Sequence, residues 1–434
     1  MVHSARKRGF LLILDEFIGK YVAYQNKRYL QFDENRTAVI PDVKGNGKGY
    51  MLYLHIPFCE KLCNYCSFHR IAFQEELAKK YFAALKKEIL LYKEKGFDFK
   101  ALCIGGGTPT VLVKELVETI ELAKECFDIR EITVETNPNH LDMSILQPLK
   151  DVGVDRLSVG IQSFNDDILK ATERYHKYGS GAEIAEKIKS LKGFFKTLNA
   201  DMIFNFPLQN EVNLQADLDI LNSLGVDQVT YYPLMVSTST QKVVEKKLGV
   251  VNDIRGRKFY EMICKNLIGG YDMATSWCFT KKHTMIDEYI INYDEYAGLG
   301  SGAIGFVDGM VYANTFDIPE YIRKVEGGEF PITASRVCSV KEQLLYDFMM
   351  AQFGLSFDLE KMSQKYGVNA KSKMFLETTF FRMIGGLKQD PSNPNKLLVD
   401  DCYFGVIMMR EFFTAVNNFR DHCRSQSNQQ LIHS

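Results

Sequence analysis

Between residues 51 and 232 the chain alternates short apolar strands with longer amphipathic helices, and no other feature of the sequence constrains the fold as much. Strands are expected at 51–54, 101–104, 131–134, 156–159, 199–204 and 228–232, and helices at 75–92, 113–126, 144–152, 181–195 and 214–224. Six strands joined by helices require right-handed crossovers, so the fold class is α/β, with a parallel sheet either open or curled into a partial barrel. After Pro233 the alternation weakens, although 252–267 reads as another amphipathic helix. From about residue 331 the pattern is mainly helical, with helices at 340–353, 358–366, 371–384 and 403–418 and one short strand at 396–399. The expected division is an N-terminal extension (1–50) without a clear pattern, a barrel with its extension (51–330), and a C-terminal mainly helical, winged-helix-like domain (331–434) ending in a polar tail from Ser425 that should fray.

Charge removes one class of function. With 53 Lys plus Arg against 54 Asp plus Glu the net charge is −1, and the winged-helix-like region has no dense basic face interleaved with aromatics, so no nucleic-acid partner is expected. The apolar run Gly9–Leu14 is six residues long and is followed by Asp15 and Glu16. Spanning a bilayer takes about 20 apolar residues, so no integral membrane segment is expected. The basic residues Arg6, Lys7 and Arg8 precede a run too short for a signal peptide, and the expected location is cytoplasmic.

Of the ten cysteines, seven are scattered singly, while Cys59, Cys63 and Cys66 fall within eight residues. Their C-x3-C-x2-C spacing lies in the loop that leaves the first strand. Three thiolates can hold three irons of a four-iron four-sulfur cluster and leave the fourth open to an outside ligand. The competing readings are buried thiols, or a zinc site completed by His55 or His69. Structural zinc sites usually show a second ligand pair, and none follows, which favours the cluster.

Further polar residues stand where barrel chemistry is done. Glycines in Gly105–Thr110, after the second strand, let backbone groups approach a ligand at the strand ends; they also suit a tight strand-to-helix turn. Glu135, Gln162, Arg174 and Asp201 each sit at or just after a strand end, where an Arg fork can take a carboxylate and an acid can accept from ribose hydroxyls. His176 could carry a proton or make a structural hydrogen bond. Cys278 could be a thiol at the barrel mouth or a small buried residue.

The C-x3-C-x2-C loop after the first strand of a repeated strand-helix domain resembles the radical S-adenosylmethionine (SAM) superfamily. More narrowly, His55–Cys59, Gly105–Thr110, Arg156–Phe164 and Gly298–Ala303 resemble its oxygen-independent coproporphyrinogen III oxidase-like branch. The resemblance covers about residues 50 to 330 and implies a partial (β/α)6, TIM-like radical SAM barrel. It implies that Cys59, Cys63 and Cys66 ligate the cluster, whose open iron chelates the amino and carboxylate groups of SAM. One electron, from a donor such as flavodoxin or ferredoxin under anaerobic conditions, then cleaves SAM to methionine and a 5′-deoxyadenosyl radical. It also implies that Gly106 and Gly107 contact the methionine part of SAM. Tyr53, Tyr65, Thr108, Glu135, Gln162, Arg174, Asp201, Met235 and Ile304 would likewise contact one of two bound SAM molecules, although core packing competes as the role of Met235 and Ile304.

One departure bears on the reaction. True coproporphyrinogen III oxidases of this kind continue the third ligand as C-x-C, and the corresponding residue here is Phe68. That moves the expectation toward relatives. The leading expectation is methyl transfer from a second SAM to an sp2 carbon of an aromatic or quinone substrate, such as a menaquinone precursor. The alternatives are oxidative decarboxylation of coproporphyrinogen III, a tetrapyrrole, and a haem-binding chaperone that works without turnover.

Overall fold

The strands expected from patterning form one parallel ladder in a computed structural model that describes residues 2–30, 40, 41, 43, 50–281, 293 and 295–426. They are β1 (Tyr50–Ile56), β2 (Phe99–Gly106), β3 (Glu131–Thr136), β4 (Arg156–Gln162), β5 (Thr197–Phe204) and β6 (Gln228–Pro233), adjacent in chain order. Register places Leu52 beside Leu102, Leu102 beside Ile132 and Val134 beside Leu157. These strands read as nearly continuous apolar runs because helices cover their outer faces while the inner faces line the barrel. The order and the mixed α/β content are those of a partial barrel.

The crossover helices are α2 (Glu75–Glu94), α3 (Val113–Cys126), α4 (Met143–Asp151), α5 (Gly181–Ser190) and α6 (Glu211–Leu224). On α2, Ala78, Tyr81, Phe82, Leu85, Ile89 and Tyr92 are buried at helical spacing and form the stripe that meets the sheet. The fifth helix stops at Ser190, short of the expected 195, because the chain turns through 191–194 before β5.

Beyond the six strands the sheet continues at both edges. Cys278–Thr280 (β7) runs antiparallel to β6, and Tyr296–Leu299 (β8) lies parallel beside β1. From β8 an antiparallel meander follows through Ile304–Val307 (β9), Met310–Asn314 (β10) and Ile332–Val337 (β11). The longer helices among the remaining described residues are α7 (Thr238–Leu248), α8 (Gly256–Leu267), α9 (Ile318–Glu326), α10 (Val340–Phe353), α11 (Leu359–Tyr366), α12 (Phe375–Met383) and α13 (Cys402–Gln426). Where one short strand was expected, three pair: Ser356–Asp358, Leu387–Asp390 and Asn393–Val399. The first two are too short and too polar to show an alternating pattern. The tail from Ser427 lies outside the described residues.

A 28-residue helix, α1 (Val2–Tyr29), occupies the segment in which the sequence showed no pattern. It lies along α13, with Gly19 facing Ile407. Arg257 on α8 ties it down. Its guanidinium donates to Asp15 Oδ1 at 2.6 Å and to Asp401 Oδ2 at 2.7 Å. Among the described residues no helix is long and apolar enough to cross a membrane.

Candidate functional site

The chain leaves β1 at Ile56 and makes a loop through Arg70 that carries Cys59, Cys63 and Cys66 into one cavity. Arg70 folds back under the loop and donates to the carbonyl oxygens of Cys63 and Cys66, so its charge fixes the backbone between the second and third thiols. The glycine segment after β2 grips the loop from the other side. Gly107 N–H donates to Ile56 O at 2.7 Å and Thr108 N–H to Phe58 O at 2.8 Å, and Thr108 Oγ1 approaches Cys59 Sγ at 3.7 Å. A Cβ on Gly107 would lie 2.6 Å from Phe58 O, so only glycine allows this contact. The tight-turn and ligand-approach readings of this segment therefore coexist: it braces the cysteine loop, and Gly106 and Gly107 also line the cavity.

Burial first, then the neighbouring Cys66 and Cys63, push the Cys59 thiol up to about 12. Three thiols from one short loop that face one cavity can each take a different iron of a single cluster, so the donor set fits it. Zinc does not fit. No three His, Cys, Asp or Glu side chains among the described residues converge on a point that could hold a single ion, whereas a cubane takes each thiolate on a different iron. Both histidines considered for zinc are engaged elsewhere. His55 Nε2 pairs with His69 O at 2.8 Å and its Nδ1 with the Tyr53 hydroxyl at 3.1 Å, while His69 Nε2 meets Ser301 Oγ at 3.2 Å. Burial lowers the pKa of both rings, that of His55 to about 4, so they stand neutral behind the loop.

The strand ends bring the remaining polar residues to the same cavity, about 730 Å³ in volume. Glu135, at the end of β3, accepts from Gly106 N–H at 3.2 Å, and Gly105 has no side chain because a Cβ would stand 2.6 Å from that carboxyl. Gln162 closes β4 with φ +76°, a left-handed conformation that strains a residue with a side chain and turns it toward the mouth. Asp201 on β5 accepts from Ser158 Oγ at 2.6 Å and Asn199 Nδ2 at 2.8 Å. Arg174, between two short helices that follow β4 (Asp166–Ala171 and Tyr175–Tyr178), is buried. Its Nη1 donates to Cys63 Sγ at 3.5 Å and its Nη2 to Asn137 Oδ1 at 3.3 Å and to Gly160 O, while the guanidinium lies 4.3 Å from the Tyr178 ring centre. Its Nε–H is enclosed without a protein partner, a donor in reserve beside the thiols.

Tyr53, Tyr65, Met235 and Ile304 line this cavity as well, and Thr108 stands just behind Cys59. Two sequence candidates lie elsewhere. His176 lies on a surface groove, and Cys278 is buried on β7 among Trp277, Met350, Phe353 and Met409. Phe68, at the position of departure from the oxidases, receives the last helix. Arg420 of α13 lies 5.1 Å from its ring centre, and Arg424 Nη1 donates to its carbonyl at 3.0 Å. Sequence reasoning missed Asn137, Tyr178, Arg420 and the whole inner face of α1. For Asn137 a signal existed, since it is a polar residue directly after the end of β3.

A partial parallel barrel with a three-cysteine loop at the exit of its first strand and polar side chains around the same cavity has the donor set of an iron–sulfur protein. Comparison with known proteins agrees. Residues 53–231 match the radical SAM superfamily. The chain is 28% identical over 333 residues to Heme chaperone HemW of Bacillus subtilis, covering 73% of this chain and 86% of that protein. It is 30% identical over 284 residues to Heme chaperone HemW of Lactococcus lactis, covering 62% and 73% respectively. The solved structure of coproporphyrinogen III oxidase (HemN) from Escherichia coli shares the fold, with a TM-score of 0.71 at 18% identity over 89% of this chain and 95% of that one. The chain belongs to the radical SAM superfamily, in its HemN/HemW-like branch. Membership implies a four-iron four-sulfur cluster and SAM.

Proposed function

We propose that this chain is a haem-binding radical SAM protein of the chaperone kind, holding haem in the cavity beside its cluster and SAM. The observation that carries the reading is the largely apolar, aromatic wall of the cavity. Among the described lining residues the cations are Lys61, Arg70, Arg156, Arg174 and Arg420. Arg70 is engaged by the cysteine loop, Arg156 donates to Gln228 Oε1 at 2.7 Å, and Arg174 serves the thiols and the strand ends. Lys61 is exposed at the same cavity, and Arg420 donates from Nη1 to Asn417 Oδ1 at 2.7 Å. Haem carries two propionates on a flat apolar ring; coproporphyrinogen III carries four. A cavity walled by side chains such as Tyr296, Phe306, Tyr346, Phe412 and Met408 suits the former better. Phe68 and the names of the two sequence relatives point the same way.

Bound at Cys59, Cys63 and Cys66, the cluster would supply one electron and an open iron to SAM. This chain's own residues then have plain tasks. Arg174 orients a carboxylate with its Nε–H, Glu135 and Asp201 accept from hydroxyl or amino groups, and the apolar walls keep water from the site. Methyl transfer to a quinone, the leading expectation from sequence, finds no support in these relatives, which favour the two tetrapyrrole alternatives.

The test is anaerobic titration of the reconstituted protein with haem, followed by separate incubations with SAM plus coproporphyrinogen III and with SAM plus a quinone precursor. One haem bound per chain, with no carbon dioxide released from coproporphyrinogen, is the expected result. Carbon dioxide with matching 5′-deoxyadenosine would make the chain an oxidase. S-adenosylhomocysteine formed on a quinone precursor would restore methyl transfer.

A further inference from the structure

One wall of the cavity belongs to neither the barrel nor the cysteine loop. It is the inner face of α1, which contributes Ile18, Val22, Gln25, Asn26 and Tyr29. Ile18 and Val22 behave as a lid helix should, packing on the core with apolar side chains. Further along the same face the character changes. Asn26 is 6% exposed, yet its Nδ2 has no hydrogen-bond partner among the described residues, and the enclosed Oε1 of the adjacent Gln25 has none either. An enclosed amide without a partner destabilises the protein that carries it, and a leucine would seal this helix face better. The arrangement makes physical sense when a ligand completes it.

The two orphaned atoms differ in kind, one a donor and one an acceptor, on neighbouring residues. Their joint complement is a group with a carbonyl oxygen and a hydroxyl hydrogen side by side. We propose that Gln25 and Asn26 read a carboxylic acid arm of the ligand, Asn26 Nδ2 donating to its carbonyl oxygen and Gln25 Oε1 accepting from its hydroxyl. Resting on the haem-binding reading above, that arm is one propionic acid of haem, held neutral by the apolar wall around it. The helix therefore selects which edge of the ring enters first.

The test compares haem with haem dimethyl ester, which keeps the carbonyl and lacks the hydroxyl, on the reconstituted full chain. Asn26→Leu should weaken both compounds by roughly tenfold, the loss of one buried hydrogen bond. Gln25→Leu should weaken haem by a similar factor and leave the ester unchanged. Thermal unfolding of both variants without haem should be at or above wild type, because each removes an enclosed unpaired group, and their SAM affinity should not move. If either variant unfolds earlier than wild type, its amide is structural and the proposal falls. Haem binding unaffected in both variants, or a Gln25→Leu loss equal for haem and ester, overturns the pairing while leaving haem binding intact. Wild-type protein that takes up no haem overturns the functional reading and this assignment together.

Discussion

Replacing Arg174 by lysine keeps the charge and removes the fork, so it tests the geometry of the site and not merely its electrostatics. The arginine is 3% exposed and distributes its donors over Cys63 Sγ, Asn137 Oδ1 and Gly160 O, with Nε–H in reserve. A lysine ammonium is one point on a single flexible stem, and it cannot hold all three acceptors while also presenting a donor to a ligand. Losing a charge-assisted hydrogen bond to the carboxylate of SAM costs about 1.5–3 kcal/mol, which corresponds to roughly a tenfold to 150-fold rise in Kd. Losing the stacking on the buried Tyr178 ring costs the fold about 2 kcal/mol, a fraction of the stability of a native domain, so it should survive. The assay is anaerobic equilibrium titration with SAM, read from the cluster's electron paramagnetic resonance signal, with iron and sulfide determined on the same sample. Wild-type affinity in a variant with a full cluster would refute the placement of Arg174 at the carboxylate. Loss of the cluster itself would show instead that its contact with Cys63 is the important one.

Cys59→Ala, Cys63→Ala and Cys66→Ala should each abolish SAM cleavage and lower iron and sulfide from about four apiece per chain, whereas Cys126→Ala on α3 should change neither, as metal analysis will show. Arg257→Ala strips Asp15 and Asp401 of their shared cation in a largely buried setting, a loss of about 3–5 kcal/mol; limited trypsin digestion should then cut within α1 much sooner than in wild type. Burial pushes the Glu88 carboxyl up to about 7, against lowering contributions from Tyr321, Gly300 N–H and Asn314. A carboxyl whose folded pKa is raised contributes stability below its unfolded value, near 4.5, and loses it as pH climbs through 7. The stability of wild type relative to Glu88→Gln should therefore fall by on the order of 3 kcal/mol between pH 5 and pH 8; chemical denaturation showing a flat or rising difference would contradict the burial of this group.

Much of the barrel was legible because its information is local. Strand and helix periods of 2 and 3.6 residues report which face of a segment is covered, and the six strands and their helices follow from that alone. The cysteine loop is equally local: three thiols in eight residues can serve one cluster whatever surrounds them. Glu135, Gln162, Arg174 and Asp201 could be picked out because, in a parallel barrel, the end of a strand in the sequence is also a place in space.

The walls of the cavity and the choice of ligand carry no such local mark. Asp15 meets Arg257 from 242 residues away, and Arg424 reaches Phe68 across 356. Asn26 reads in sequence as an ordinary polar residue on a helix with no evident partner, and only the docking of α1 against α13 turns it into the cavity. Even Phe68 meant only a missing cysteine until the last helix was seen resting on it. The sequence by itself determined the barrel, the thiol cluster and the chemistry they imply, since each depends on neighbours in the chain. Tertiary structure decided which distant helices enclose the site and how many cations face it. Those are properties of surfaces that exist only once segments far apart in the chain exclude water together, and no local pattern records them.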